Sequence, residues 1–225
     1  MANLFHMRRR CLPRVTHPAL PPALQRPIIL IGLMGAGKTS VGRRLATLIG
    51  ADFVDSDVEI EAAAGMTIPE IFEVHGELHF REGERKVIAR LLDGAPRVLA
   101  TGGGAFMAPE TRAATLEAGT VVWLDAERDT LFARVSRKPG RPLLAQPDPK
   151  GVLAQLIEVR YPVYAEAHVR VASAPDITHE AMAVDILAAI ETHDAALPEA
   201  DRTFSRRKAS DDTDPAQRSA GRAQL

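Results

Sequence analysis

The chain has 225 residues, of which 46% are hydrophobic and 25% are charged, and this is the composition of a globular protein with one sizeable core. A formal net charge of −1 gives no reason to expect nucleic acid or an anionic membrane as a partner. The single cysteine, Cys11, excludes an internal disulfide and a metal site of four cysteines, and it fits a reducing compartment such as the cytoplasm.

The two ends of the chain differ in composition from its middle. Residues 1–26 are rich in arginine and proline and contain no acidic residue, whereas residues 195–225 are polar with almost no large apolar side chain. Segments of this kind lack the apolar surface needed to pack, so we predict that both are disordered and that residues 27–194 form the folded domain. The basic leader has two alternative interpretations. It is a transit peptide, or its start codon is assigned too early and Met7 is the other candidate for the first residue.

Short apolar runs alternate with helix-length segments along the predicted domain. The runs are residues 27–32, 51–55, 97–101, 120–125 and 169–172. This order predicts an α/β fold with a doubly wound, parallel, five-stranded sheet flanked by helices on both faces. No run approaches the roughly 20 apolar residues that span a bilayer. Because ligands of such sheets bind beyond the carboxyl ends of the strands, the residues that follow each run are the functional candidates.

The first predicted strand leads directly into GLMGAGKTS, where Gly32, Gly37, Lys38 and Thr39 have the spacing of a phosphate-binding loop that opens a helix. Backbone N–H groups and the positive helix end hold nucleotide phosphates in such loops, the lysine neutralises their charge and the hydroxyl ligates Mg²⁺. A glycine-rich turn without a ligand is the alternative. The residues predicted to bind the nucleotide are Gly35, Ala36, Gly37, Lys38, Thr39 and Ser40.

The second predicted strand ends in FVDSDVEIE, which places Asp55 and Asp57 at the carboxyl edge of the sheet beside the phosphate-binding loop. Two carboxylates at this edge indicate metal and substrate binding. Helix capping is the alternative, because Ser56 and Glu59 have the spacing of a capping box and Asp57 would meet the positive end of the helix. Capping accounts for Asp57 but not for Asp55, so we interpret the pair as functional.

The third predicted strand ends in the glycines of residues 102–104, which suit either a strained turn or a ligand packed against the main chain. In the preceding helix, Arg81 has Glu77 and Glu84 at i−4 and i+3, and by itself it has the pattern of a solvated ion-pair residue. Arg160 lies two residues before Pro162, where it can equally hydrogen-bond the terminal carbonyls of a helix.

Two further features follow the later strands. Asp125 ends an apolar strand and imitates the aspartate that binds Mg²⁺ in many phosphate-loop proteins. Residues 137–151 form a connection rich in proline and glycine that is long enough to be a lid, and Arg141 within it is a candidate to close over phosphates.

Taken together, these motifs resemble the shikimate kinase family over residues 28–193. The segments GLMGAGKTSVGRRLA, FVDSDVEIE, HGELHFREGE, VLATGGGA, RPLL and RYPVYAE occur in the order and approximate spacing of that family. The resemblance implies a P-loop fold like that of the nucleoside monophosphate kinases. It also implies transfer of the γ-phosphoryl group of MgATP to the 3-hydroxyl of shikimate, in aromatic amino-acid biosynthesis, by a cytoplasmic protein that we expect to be a monomer.

The resemblance implies roles for the residues around the phosphates. Lys38 and Thr39 are similar to the residues that bind the phosphates and Mg²⁺, and Asp55 is similar to the carboxylate that holds Mg²⁺ through water. Asp57 resembles the residue that hydrogen-bonds the substrate hydroxyls and can accept a proton. Arg141 resembles the lid arginine that stabilises the transferring group.

The resemblance also implies a substrate subsite and a nucleotide subsite. Arg81 and Arg160 are similar to a clamp for the shikimate carboxylate, with Glu84 orienting Arg81. Gly102, Gly103 and Gly104 match the turn that lines the substrate. Arg134 resembles an arginine on the nucleotide side.

One segment departs from the family pattern, and two rival functions stay open. Pro175 and Asp176 stand where many members present an arginine to the adenine, so the adenine contacts are not assigned. A different small-molecule kinase of this fold, such as gluconate kinase, is the first rival, and the two clamp arginines with the glycine turn favour shikimate over it. A nucleotide-binding regulatory module without turnover is the second, and an intact Asp57 argues against it.

Overall fold

The computed structural model describes residues 23–137 and 147–205. Its strands are β1 (Ala23–Leu24), β2 (Ile28–Ile31), β3 (Phe53–Asp55), β4 (Val98–Ala100), β5 (Thr120–Asp125), β6 (Val169–Ala172) and β7 (Phe204–Ser205). Its helices are α1 (Lys38–Ile49), α2 (Ser56–Ala64), α3 (Ile68–Leu92), α4 (Pro109–Ala118), α5 (Arg128–Ser136), α6 (Pro149–Tyr164) and α7 (His179–Ala195). The predicted lid arginine, Arg141, lies outside the described residues.

Strands β2 to β6 form one parallel sheet in the order β3-β4-β2-β5-β6, which confirms the predicted fold class. Each of the five predicted apolar runs contains one of these strands. After β2 the chain moves to one side of the sheet, and after β4 it crosses to the other side. The carboxyl end of the central β2 is therefore the topological switch point, where sheets of this kind bind ligands.

The central strands are buried on both faces because helices cover the sheet from two sides. Residues Ile28–Ile31 of β2 are at most 1% exposed, and α1 and α7 pack against each other on one side. A capping box starts α3, since Glu70 N donates to Thr67 Oγ1 over 3.4 Å and Thr67 N donates to Glu70 Oε2 over 2.7 Å. Within the described part of the chain, no helix is both long and apolar enough to cross a membrane.

The structured part extends beyond residues 27–194 at both ends. β1 pairs with β7 in a second, antiparallel sheet, in which Leu24 lies opposite Phe204. The Asp194 carboxylate, only 6% exposed, accepts hydrogen bonds from Thr203 N, Thr203 Oγ1 and Phe204 N. We call residues 23–26 and 203–205 the terminal clasp. Few apolar side chains are needed there, because buried hydrogen bonds hold the segment to the body of the protein.

Candidate active site

A cavity of about 820 Å³ opens at the carboxyl ends of the central strands. The structure brings most of the predicted site residues together in its wall: Gly35, Gly37, Lys38, Thr39, Ser40, Asp55, Asp57, Arg81, Gly102, Gly103, Gly104, Arg134 and Arg160. Ala36 is different, since it is 1% exposed and packs in the core. Its backbone N–H donates to Leu33 O over 3.1 Å.

The phosphate-binding loop connects β2 to α1 and needs its glycines for conformational reasons. Gly32, Gly35 and Gly37 have φ angles of 144°, 84° and 100°, a region that other residues rarely adopt. Lys38 Nζ donates to the loop carbonyls of Gly32, over 2.7 Å, and Leu33, over 3.2 Å. These contacts hold the ammonium group across the loop, where a phosphate bound at the helix N-terminus would meet it.

Asp55 joins the phosphate-binding loop to the next helix. Its Oδ2 accepts a 2.7 Å hydrogen bond from the Thr39 hydroxyl, and its Oδ1 accepts a 3.1 Å hydrogen bond from Asp57 N. The second contact makes Asp55, not Ser56, the N-cap of α2. The expectation that capping leaves Asp55 unexplained is therefore wrong, because this carboxylate caps α2 and also faces the loop.

The oxygen atoms of Thr39 and Asp55 fit a small hard cation. Mg²⁺ binds oxygen ligands and usually takes only one or two from the protein, with water and phosphate completing its shell. Asp125, the alternative metal residue, is engaged elsewhere: its Oδ2 accepts from Arg170 Nη2 over 2.6 Å and from Arg170 Nε over 2.9 Å. Asp125 is also absent from the wall of the cavity. The geometry therefore favours Asp55 over Asp125 as the carboxylate near a metal.

Asp57 is the second residue of α2, and its side chain lines the cavity. Burial and the negative charge of Asp55 raise the pKa of its carboxyl to about 6, with Glu84 adding to the rise and the Lys38 ammonium opposing it. A carboxyl group with such a pKa is ionised for most of the time near neutral pH and is more basic than an ordinary aspartate. Asp57 can therefore accept a hydrogen bond or a proton from a hydroxyl group in the cavity.

The glycine turn after β4 allows side chains to approach its backbone closely. A Cβ atom on Gly102 would lie 2.8 Å from Asp57 Oδ1, and one on Gly104 would lie 2.7 Å from Arg81 Nη1. A Cβ on Gly103 would lie 3.3 Å from Arg160 Nη1. None of the three glycines has a positive φ, so close approach rather than a strained turn explains them.

Two arginines reach this turn from opposite helices. Arg81 of α3 donates to Glu84 over 2.7 Å and to Glu77 over 3.3 Å, and its guanidinium lies 5.1 Å from the centre of the Phe80 ring. Arg160 of α6 donates to Gly103 O over 2.9 Å. Burial raises the pKa of Glu84, and the hydrogen bond and positive charge of Arg81 oppose that rise. This end of the cavity is suited to binding an anion between two planar donors.

The opposite end of the cavity lies beside Arg134. Arg134 Nη1 donates to Ser173 Oγ and Nη2 donates to Ala174 O, both over 2.7 Å, so this arginine holds the segment that follows β6. Three residues of that segment and of the start of α7 line the cavity there: Pro175, Ile177 and His179. The sequence motifs predict Arg134 at this end of the cavity, but they do not identify Ile177 or His179.

The sequence motifs also do not identify the apolar part of the cavity wall. It consists of Met34, Ile68, Phe72, Phe80 and Val135. Ile68 and Phe72 are four residues apart on α3, so a helical pattern was present in the sequence. That pattern does not distinguish a helix face that meets the core from one that meets a ligand.

A phosphate-binding loop at the central strand of a parallel sheet, with two carboxylates and two arginines facing it, defines a P-loop kinase of a small molecule. The family model described as shikimate kinase matches residues 34–191. The chain belongs to the shikimate kinase family.

Relatives support this membership over most of their length. The chain is 56% identical over 173 residues to the shikimate kinase of Rhodopseudomonas palustris, covering 77% of this chain and 85% of that protein. It is 51% identical over 180 residues to the shikimate kinase of Bradyrhizobium diazoefficiens, covering 78% and 86% respectively. The solved structure of shikimate kinase from Acinetobacter baumannii in complex with shikimate is similar with a TM-score of 0.71 and 41% identity, covering 74% of this chain and 93% of that one.

Proposed function

We propose that the chain transfers the γ-phosphoryl group of ATP to the 3-hydroxyl of shikimate, with Asp57 orienting that hydroxyl. As a member of its family, the chain is an ATP-dependent kinase that phosphorylates shikimate in aromatic amino-acid biosynthesis. The observation that supports the assignment of residues is that Lys38, Asp57, Arg81 and Arg160 line the same cavity. Such an arrangement provides a phosphate site, an acceptor for a hydroxyl proton and an anion site within one cavity.

The phosphate-binding loop and the residues beside it form the part of the cavity that binds the phosphates of ATP. Backbone N–H groups of Gly35 and of residues 37–40, together with the Lys38 ammonium, bind and orient the phosphates of ATP. Thr39 and Asp55 would hold Mg²⁺, Asp55 through water. When bound, Mg²⁺ supplies positive charge beside the β- and γ-phosphates. The protein's main task at this end is to fix the γ-phosphoryl group in line with the acceptor, since little covalent chemistry is asked of the enzyme.

The acceptor end orients one hydroxyl group. The Asp57 carboxylate accepts a hydrogen bond from the 3-hydroxyl of shikimate. It receives the hydroxyl proton as the bond between that oxygen and the γ-phosphorus forms and the bond from the γ-phosphorus to the departing ADP breaks. The raised pKa of Asp57 favours that transfer, because the carboxylate is more basic than an exposed aspartate. The close approach of Asp57 to Gly102 leaves no room for a side chain at that glycine.

The enzyme recognises its substrate by the carboxylate group of shikimate. Arg81 and Arg160 bind it from two sides, and Glu84 holds the Arg81 guanidinium in place through the 2.7 Å hydrogen bond. The glycine turn of residues 102–104 lets the rigid ring of the substrate lie against the main chain. A sugar acid with a longer and more flexible chain would not keep its carboxylate and its reacting hydroxyl at the same separation.

The remaining assignments rest on family resemblance. Arg134 binds the nucleotide side, and Arg141 closes over the phosphates as a lid arginine. The protein acts in the cytoplasm as a monomer, and its net charge of −1 gives it no evident affinity for nucleic acid or membrane surfaces. Residues 23–26 and 195–205 belong to the folded unit together with the predicted domain of residues 27–194.

Steady-state kinetics with altered arginines and an altered substrate test this proposal. Each of Arg81→Ala and Arg160→Ala is expected to lower kcat/KM for shikimate by about 10- to 150-fold, with KM for ATP almost unchanged. Arg81→Lys rescues poorly, because a lysine lacks the planar pair of donors. Arg170→Ala is the matched control, since Arg170 pairs with Asp125 away from the cavity.

The second arm replaces the shikimate carboxylate by a neutral amide in the wild-type enzyme. The amide is expected to react as poorly as shikimate does with the arginine variants. The proposal is wrong if the amide reacts as well as the acid, or if both alanine variants behave like the wild type.

A further inference from the structure

Tyr164 is a buried polar residue to which the proposed mechanism gives no role. It ends α6, one helical turn after Arg160, and it is fully buried. Its ring lies 6.4 Å from that of Phe106 and 6.1 Å from that of Trp123, measured between ring centres. Its hydroxyl group donates a hydrogen bond to Gly103 O in the glycine turn. Tyr164 thus connects the aromatic core to the floor of the substrate site.

Gly103 O accepts two hydrogen bonds from the same helix. Tyr164 Oη supplies one, and Arg160 Nη1 supplies the other over 2.9 Å. A carbonyl oxygen has two lone pairs and can accept both bonds at once. The positive charge of Arg160 also opposes the rise that burial causes in the pKa of the Tyr164 phenol, so the two side chains lie close together around one carbonyl.

The contact with Gly103 O competes with the role proposed for Arg160. To bind a carboxylate, the Arg160 guanidinium must turn at least part of its donor set away from this carbonyl. If a carbonyl oxygen in a partly buried turn loses its only hydrogen-bond donor, the unpaired oxygen raises the free energy of the protein. A carbonyl that keeps a second donor is not left unpaired when the first one leaves.

We propose that Tyr164 is a positioning residue for substrate binding: its hydroxyl keeps Gly103 O hydrogen-bonded while Arg160 exchanges that carbonyl for the substrate carboxylate. This inference rests on the carboxylate clamp of the proposed function. Tyr164 acts through Arg160 and the glycine turn, without touching the reacting atoms. It therefore affects how well shikimate binds, and not how fast the phosphoryl group is transferred.

The test is Tyr164→Phe, which removes the hydroxyl and keeps the ring packing. KM for shikimate is expected to rise about 3- to 10-fold, the range for loss of one hydrogen bond between neutral groups, with kcat and KM for ATP unchanged. Tyr161→Phe is the matched control: Tyr161 lies on the same helix, and its hydroxyl donates to Ala126 O instead. That variant is expected to keep the wild-type KM for shikimate. Thermal unfolding of both variants establishes that each is folded at the assay temperature.

Two further measurements separate positioning from a general structural effect. The neutral amide of shikimate does not draw Arg160 away from Gly103 O, so Tyr164→Phe is expected to leave KM for the amide unchanged. In an Arg160→Ala background, Tyr164→Phe is expected to add less than about twofold to KM for shikimate, because coupled residues are non-additive. The inference is overturned if the two changes multiply, or if the amide is affected as much as the acid.

The same set of variants distinguishes failure of this inference from failure of the clamp. If Arg160→Ala raises KM for shikimate while Tyr164→Phe matches the wild type, only the role of Tyr164 is wrong. If Arg160→Ala leaves KM for shikimate unchanged, the clamp is wrong, and the inference about Tyr164 is overturned with it.

Discussion

Thr39 and Asp55 meet across two elements of the fold, with the Thr39 hydroxyl at the start of α1 donating to Asp55 Oδ2 over 2.7 Å. The other oxygen of the same carboxylate caps α2 through Asp57 N. One side chain therefore sets the position of the loop hydroxyl and of the backbone of the residue proposed to orient the substrate. Asp55 thus connects the start of α1 to the start of α2.

Changing this carboxylate to an amide tests its proposed place near Mg²⁺. Asp55→Asn is expected to raise the Mg²⁺ concentration needed for half-maximal rate by about tenfold or more, because a charged ligand becomes a neutral one. Stability should change little, since asparagine caps helices as well as aspartate does. The measurement is a Mg²⁺ titration of the initial rate at fixed ATP.

Asp125→Asn is the control for that titration. It removes the pair with Arg170, a residue whose side chain is 67% exposed, and such a surface pair contributes about 0–1 kcal/mol. The Mg²⁺ requirement is expected to stay at the wild-type value. A higher requirement in Asp125→Asn with none in Asp55→Asn would reverse the assignment of the two aspartates.

The pH dependence of the rate tests the role of Asp57. With both substrates well below saturation the rate reflects the free enzyme, and it is expected to rise with pH through a midpoint of about 6 as the Asp57 carboxylate forms. The sign follows from the raised pKa: at lower pH the carboxyl is protonated and cannot accept the hydroxyl proton. Asp57→Asn should lower kcat by about 100-fold or more and abolish this acidic limb. An acidic limb that persists unchanged in Asp57→Asn would assign it to another group.

The parallel sheet and the phosphate-binding loop could be predicted because their signals are local. Short apolar runs that end in polar residues or glycines identify buried parallel strands, and the loop is defined by fixed spacing around Lys38. The gathering of Asp57 and the 102–104 turn in one cavity follows from the same rule, since carboxyl ends of parallel strands share one edge. Arg81 and Arg160 needed the family resemblance, because an arginine on a helix has no local pattern that separates a ligand contact from an ion pair.

Other features depend on contacts between distant segments. The pairing of Asp125 with Arg170 follows from the register between β5 and β6, which no short sequence pattern specifies. The N-cap of α2 depends on backbone angles at Asp55, of −110° and 120°, and both Asp55 and Ser56 are favourable caps by residue type. The terminal clasp joins Leu24 to Phe204 through strands of two residues, which are too short to show periodicity.

A methyl group added to the glycine turn tests whether close approach matters for substrate binding. In Gly104→Ala, the new Cβ would lie 2.7 Å from Arg81 Nη1, so the guanidinium must move away from the turn. We expect kcat/KM for shikimate to fall by about 10-fold or more, the loss that corresponds to one charge-assisted contact, with KM for ATP unchanged.

Gly83→Ala is the matched control for this substitution. Gly83 lies within α3, and a Cβ there meets no atom within 4 Å. The change is expected to leave both KM values unaltered and to raise the free energy of unfolding by about 0.5–1 kcal/mol, because glycine is a poor helix former. Gly104→Ala with wild-type kinetics would show that the turn can accept a side chain.

The terminal clasp is expected to stabilise the fold without contributing to the reaction. The Thr203 hydroxyl is fully buried, donates to Asp194 over 2.8 Å and lies 2.6 Å from Thr120 Oγ1, at the end of β5 opposite the cavity. Thr203→Val leaves a buried carboxylate with one donor fewer, so the free energy of unfolding should fall by about 1–3 kcal/mol. Thr192→Val removes an exposed hydroxyl that donates to Ala188 O on α7, and it should change stability by less than about 0.5 kcal/mol.

Truncation extends the same prediction from one hydroxyl to the whole clasp. A chain of residues 27–194 lacks all three donors to Asp194, whereas a chain of residues 23–205 keeps them. The shorter chain is expected to unfold at a lower denaturant concentration, with the difference exceeding that caused by Thr203→Val. At a temperature where both chains are folded, their kcat/KM values for shikimate should agree, because the cavity lies at the other edge of the sheet. Equal denaturation midpoints for the two chains would show that residues 23–26 and 195–205 add no stability, and a tenfold lower kcat/KM in the folded shorter chain would show that the clasp affects the site.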